Sequence, residues 1–168
     1  MNYSVREFDT TGMLIAKMQA DIFSNATKKE LGSYYFLRRF ASSDYCKELD
    51  SLAILKSSLT PDNFWVENEE TISKKGTILP SDVMHWIGYI YRFWCYTESI
   101  SLMKLIKDVP IIYMSMIYNA YHSLSPEEVV SHVKEMLHLN VEEKQSKVIE
   151  KFRKIYIKRS HEILANAK

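Results

Sequence analysis

Along most of the chain, apolar residues recur at intervals of three and four positions, which is the spacing of one face of an α-helix. Only four glycines and four prolines occur, which favours long helices joined by few turns. The sequence therefore predicts an all-α fold, arranged as a single-domain bundle of about six to seven helices over residues 1–168.

The N-terminal part of this pattern predicts three helices. The first covers about 11–23, and its apolar set is Met13, Leu14, Ala16, Met18 and Ile22. The second covers about 32–41. The third follows a cap at Ser43 or Asp44 and directs its leucines towards the core.

The most apolar segment, MHWIGYIYRFWCY, lies near the middle of the chain. It predicts a buried central helix over 82–97, because apolar residues cover almost all of its faces. Gly88 disfavours this helix by about 1 kcal/mol relative to alanine, which a close crossing of two helices would offset. The helix over 111–122, IIYMSMIYNAYH, is almost as apolar and is predicted to pack on the central helix.

The helical spacing is lost in the segment TPDNFWVENEETISKKGTILPS. Pro61, Gly76 and Pro80 interrupt this segment, which carries an excess of acidic residues. We therefore predict an exposed acidic loop over about 60–81, in which a short hairpin around 75–78 is an alternative for one part.

The clearest local signal in the chain is SPEEVV. Ser125, Pro126 and Glu128 take the N-cap, first-turn and capping-box positions of a helix that extends to about His138. A last, basic helix follows over 141–165, and its basic positions are Lys144, Lys147, Lys151, Lys154, Lys158 and Arg159. These residues either form a solvated helix surface or bind nucleic acid or an acidic partner.

Composition and charge narrow the functional classes. The net charge is +1, so no global field attracts nucleic acid or membranes. Cys46 and Cys95, in a chain without a secretory signal, predict buried free thiols in a reducing cytoplasm. The glycines are too scattered for a phosphate-binding loop, and the cysteines and histidines lack the spacing of a zinc site. We therefore expect no catalytic residue, no metal and no cofactor.

Arg92 lies inside the most apolar helix with no acidic residue within one helical turn. Because arginine stays protonated, a buried guanidinium needs a partner from another segment. The candidates are Asp82, Glu98, Asp108 and the acids of 62–70. The other interpretation is a polar aromatic recess that binds a partner and is formed by Tyr91, Arg92, Tyr96, Tyr118, Tyr121 and His122.

The stretch from LPSDVMHWIGYIYRFW to YHSLSPEEVV, about residues 79–130, resembles a family of small uncharacterised bacterial helical proteins. The likeness rests on a W-x-G-Y-x-Y-R-x-W helix followed by Y-H-x-x-x-P, matched here by Trp86, Gly88, Tyr89, Tyr91, Arg92, Trp94, Tyr121, His122 and Pro126. Where the family has SSK after this helix, the present chain has SISL. The resemblance implies an association with mobile elements and toxin–antitoxin-like loci, and it transfers no catalytic residue.

Together these patterns favour a non-enzymatic protein-binding module. We expect an antitoxin or small inhibitor that masks another bacterial protein in the cytoplasm. The alternative is a nucleic-acid-binding regulator that uses the basic helix over 141–165. An enzyme of unknown chemistry is the third hypothesis.

Overall fold

The computed structural model describes residues 6–51 and 59–138, and this part of the chain is all-α, without any strand. The prediction of an all-α bundle is confirmed. The first of two compact units is Met1–Pro126, and its helices are α1 (Thr10–Lys28), α2 (Ser33–Ser42), α3 (Asp44–Ser51), α4 (Pro61–Asn68), α5 (Ser81–Glu98), α6 (Leu102–Asp108) and α7 (Ile111–Tyr121).

The second compact unit is Glu127–Lys168. A helix runs over 126–138, where the SPEEVV signal predicts it, and Val129, Val130 and Val133 are buried. The predicted basic helix over 141–165, with Lys144, Lys147, Lys151, Lys154, Lys158 and Arg159, lies outside the described residues. The prediction of one domain over residues 1–168 therefore stays a prediction.

Helix α5 is the central helix of the first unit, as predicted, and α1 is its most extensive neighbour. The two helices cross at Gly88, where an added Cβ would lie 2.8 Å from Phe23 Cγ and 3.0 Å from Ala20 Cα. A side chain at this position would hold the helices apart, so the glycine permits their close crossing. Helix α7 also packs on α5, through the rings of Trp86 and Tyr118.

The buried face of α1 contains Ala16 and Ile22 of the predicted set but otherwise differs from it. Met13 and Leu14 are 41% and 57% exposed. The buried face is instead formed by Gly12, Ile15, Ala16, Gln19, Ala20, Ile22, Phe23 and Ala26. The polar Gln19 lies on this face because its amide is hydrogen-bonded inside the core, a role that a pattern of apolar residues does not reveal.

The prediction of an exposed loop over 60–81 is wrong for its first part. Pro61–Asn68 form α4, and a 3-10 turn follows at Glu69–Thr71. Thr60 is the N-cap, its amide donates to Asn63 Oδ1 at 2.6 Å, and Pro61 occupies the first helical position. Proline is favoured there because that amide has no helical partner, so Pro61 begins a helix and does not interrupt one. Phe64 and Trp65 are buried.

Residues 72–80 form a loop, and the predicted hairpin is not present there. This loop is hydrogen-bonded to the start of α2. The amides of Gly32 and Ser33 donate to the carbonyls of Ser73 and Thr77, each at 3.0 Å. Two amides near the start of α2 thus find acceptors in the loop. A Cβ at Gly32 would clash with the carbonyl of Lys75, so this close approach requires glycine.

Both cysteines are buried free thiols, as predicted. Among the described residues, every helix is too short or too polar to cross a membrane.

The helix crossing at Gly88 yields a first prediction. Gly88→Ala should lower the free energy of unfolding by about 1–3 kcal/mol, because the methyl group overpacks the contact with Phe23 and Ala20. This is the net loss, which remains after the gain in helix propensity of ~1 kcal/mol has been subtracted. Urea denaturation followed by circular dichroism measures it. Asn119→Ala, on the exposed side of α7, is the control and should leave stability equal or slightly raised. Equal stability of Gly88→Ala and the parent protein would contradict the close crossing.

Candidate functional site

The guanidinium of Arg92 is buried in the core of the first unit, with 1% of the residue exposed. Its Nη1 donates to Asp50 Oδ1 at 2.6 Å, and its Nε donates to Gln19 Oε1 at 2.8 Å. The prediction that a buried Arg92 meets a carboxylate or carbonyls from a different helix or loop is confirmed, because Asp50 supplies the carboxylate. The predicted partners Asp82, Glu98, Asp108 and the acids of 62–70 are wrong, because α3 brings Asp50 to the guanidinium.

The partners of Arg92 are themselves held by backbone groups. Gln19 Nε2 donates to the carbonyl of Gly88 at 2.9 Å. Asp50 Oδ2 accepts from the amide of Leu102, the first residue of α6, at 3.2 Å. One polar network therefore joins α1, α3, α5 and α6. Such a network fixes how the helices pack, because any other arrangement would leave a buried charge without its partner.

The two thiols beside this network are chemically inert. Arg92 Nη2 lies 3.5 Å from Cys46 Sγ. Burial raises the pKa of Cys46 to about 12 and also raises the pKa of Cys95. The thiolate is the reactive form of cysteine, so neither side chain is a nucleophile at neutral pH. This polar network is a structural element of the core.

Two of the predicted partner-binding tyrosines are structural as well. Tyr91 is buried, and its hydroxyl donates to the carbonyl of Val109 at 2.6 Å. The hydroxyl of Tyr96 donates to Asp9 Oδ1 at 2.7 Å, and the Arg6 guanidinium lies over the Tyr96 ring. Both side chains hold neighbouring segments against α5 and are withdrawn from solvent.

Tyr118 and His122 lie instead on the partly exposed C-terminal end of α7. Their rings stack at 4.9 Å, Trp86 meets Tyr118 edge-on, and the Tyr118 hydroxyl is 3.1 Å from Asp82 Oδ2. Tyr121 is half-buried on the same helix. The predicted recess of Tyr91, Arg92, Tyr96, Tyr118, Tyr121 and His122 therefore does not form, because its first three members belong to the core.

The site that the structure does form is an apolar groove between α2, α6 and α7, which we call the α2–α6–α7 groove. Its volume is about 460 Å³. The apolar side chains lining it are Leu37, Leu79, Met103, Ile106, Pro110, Ile111 and Ile112. Thr77 and Leu79 complete one wall from the loop that is bound to α2.

Exposed apolar side chains concentrate around this groove. Nine large apolar side chains are exposed in the described part of the chain. Two of them, Tyr34 and Ile112, line the groove, Tyr35 packs edge-on against Tyr34, and Ile78 lies between the lining residues Thr77 and Leu79 in the sequence. Met116 is 75% exposed and lies one helical turn beyond Ile112, so the apolar surface continues along α7. Clustered exposure of this kind is typical of a binding surface, whereas single exposed apolar residues are ordinary.

The charged residues that line the groove are both cations. Arg38 Nη1 donates to the Tyr34 hydroxyl at 3.0 Å, which holds the guanidinium on the groove wall. Lys107 lines the groove from α6. The hydrophobic pattern of the sequence does not predict this groove. The available signal was α7, whose apolar residues occupy all faces although only Ile111 and Met114 become buried.

Comparison with known proteins leaves the function to be inferred from these residues. No protein-family model, no curated protein sequence and no solved structure matches the chain significantly.

The buried ion pair yields a second prediction. Arg92→Ala should lower the free energy of unfolding by roughly 3–5 kcal/mol, because Asp50 then remains partly buried without its partner. Chemical denaturation measures the loss. Arg38→Ala, which removes an exposed arginine from α2, is the matched control and should change stability by less than ~0.5 kcal/mol. Similar losses in both variants would show that the Arg92–Asp50 contact is not the stabilising feature.

The Asp9 carboxylate yields a third prediction, on pH. Its hydrogen bonds with the Gly12 amide and the Tyr96 hydroxyl lower the pKa of Asp9. A carboxyl with a lowered pKa stabilises the fold above its unfolded-state pKa of ~3.9, and this contribution is lost as the pH falls through the folded-state pKa. The Tm difference between the parent protein and Asp9→Asn should therefore shrink on acidification.

Thermal melts of both proteins from neutral to acidic pH measure this difference. In a Tyr96→Phe background the effect of Asp9→Asn should be smaller at neutral pH, because one of the two hydrogen bonds is already missing. A Tm difference that stays constant with pH would argue against the role of the Asp9 charge.

Proposed function

We propose that this protein is a non-enzymatic protein-binding module whose docking surface is the α2–α6–α7 groove. The concentration of exposed apolar side chains at the groove is the observation that carries the proposal. The surface extends beyond the cavity along α7 to Met116 and along α2 to Tyr35, which suits a polypeptide better than a small molecule. Interfaces of proteins are enriched in the Tyr, Met and Arg side chains found here.

The proposed action is masking of another bacterial protein in the cytoplasm, as an antitoxin or small inhibitor acts. Two observations support a role in binding. Arg92, Gln19 and Asp50 are engaged in holding helices together, and the buried thiol of Cys46 is too weakly acidic to act as a nucleophile. The resemblance of about residues 79–130 to proteins of toxin–antitoxin-like loci favours a toxin as the masked protein.

A fourth prediction tests the docking surface. Ile112 is 60% exposed in the groove, so Ile112→Glu should leave the fold intact and weaken partner binding by at least ~30-fold, the effect of losing one hot-spot residue. Val66→Glu, at an 87% exposed position on α4, is the matched control. Tagged parent and variant proteins are used to capture partners from the native host. A photo-crosslinking residue at position 112 or 66 then reports which surface touches the captured protein.

The expected result is one stoichiometric protein that is retained by the parent and by Val66→Glu, lost by Ile112→Glu, and crosslinked only from position 112. Equal capture by all three proteins would contradict docking in the groove. Recovery of mainly nucleic acid, with binding that falls steeply as salt rises, would contradict masking and favour the basic helix over 141–165 as the functional element.

A further inference from the structure

We infer that the α2–α6–α7 groove receives an acidic amphipathic helix of the partner, whose apolar side chains enter the groove while its carboxylates meet Arg38 and Lys107. This inference rests on the proposed function, because it specifies the chemistry of the docked segment.

The charge around the groove is one-sided. Helices α2, α6 and α7 together carry four lysines and arginines and one acid, Asp108. Within the described part of the chain, neither Arg38 nor Lys107 forms a salt bridge. A basic rim around an apolar floor attracts a segment with apolar residues on one face and acidic residues beside them, and it repels a basic one.

The arginine on this rim is held in a position that suits a carboxylate. The guanidinium of Arg38 is bonded to the Tyr34 hydroxyl through Nη1 and lies 5.8 Å from the centre of the Tyr34 ring. Because its position is already restricted, less conformational entropy is lost when a ligand binds. Guanidinium groups bind carboxylates with two parallel hydrogen bonds, which makes Arg38 the position where an acidic residue of the partner contributes most.

The shape of the surface favours a helix. Ile112 and Met116 are spaced by four residues on α7 and form an exposed apolar stripe beside the groove. A partner helix with apolar residues at three- and four-residue spacing can pack along such a stripe and direct side chains into the cavity. A partner segment that binds by β-strand addition would instead need a free strand edge, and the described residues contain no strand.

A phage-displayed library of random peptides of about 16 residues, roughly four helical turns, tests this inference without knowledge of the partner. The full chain is the target, and peptides that also bind an unrelated protein are removed. Enriched peptides should carry net negative charge and apolar residues at helical spacing. A synthetic consensus peptide, labelled with a fluorophore, is then measured by anisotropy beside a version in which every acid is replaced by lysine.

The acidic peptide should bind at least ~10-fold more tightly than the lysine version, and its binding should weaken as salt rises. Reversal of the rim charges in Arg38→Glu/Lys107→Glu should invert this preference. Lys17→Glu/Lys28→Glu makes the same change in net charge at exposed positions on α1 and should retain the preference.

Enrichment of basic or helix-breaking peptides, absence of any enriched peptide, or a preference unchanged by the rim reversal would each overturn the inference. If the parent protein binds both synthetic peptides equally and Ile112→Glu abolishes both interactions, the groove remains the docking surface and only its acidic specificity fails. If Ile112→Glu affects neither peptide nor capture of the native partner, the proposed function of the groove fails as well.

Discussion

A positive charge that cannot be neutralised lies at the centre of this protein, and the packing of the first unit follows from it. Arg92 carries this charge on the most apolar helix, where water cannot solvate it. Asp50 supplies the opposite charge from α3, and Gln19 supplies a carbonyl oxygen from α1. Each of these partners must be in place for the guanidinium to be buried, so the positions of three helices depend on one side chain.

The network also explains why a glycine is needed at the crossing of α1 and α5. Gln19 reaches both Arg92 and the carbonyl of Gly88, which is possible only where the two backbones approach closely. The same crossing brings Phe23 against α5, and Phe23 packs edge-on with Phe36 and Phe40 of α2. The position of α2, and with it one wall of the groove, is therefore coupled to the polar core.

The sequence predicts the central helix and its buried arginine because both signals are local. The partners of Arg92 are not local: Asp50 lies 42 positions away and Gln19 lies 73 positions away. The hydrophobic pattern of α1 predicts Met13 and Leu14 as core residues. In the structure Gln19 is buried, and Met13 and Leu14 are exposed. A polar residue that is fully hydrogen-bonded can occupy the core, whereas hydrophobic periodicity assigns only apolar residues to the core.

The sequence does not predict the groove for the opposite reason. Its apolar residues on α7 are exposed, whereas hydrophobic periodicity assigns apolar residues to the core. In the folded chain Ile112 and Met116 are exposed, and the free energy that their burial would provide is not realised within the first unit. A polar network thus fixes helix positions inside an otherwise apolar core, while some apolar residues remain exposed on the surface. The proposed partner would remove this apolar area from water on covering the groove, and the cations on the rim would favour an acidic segment.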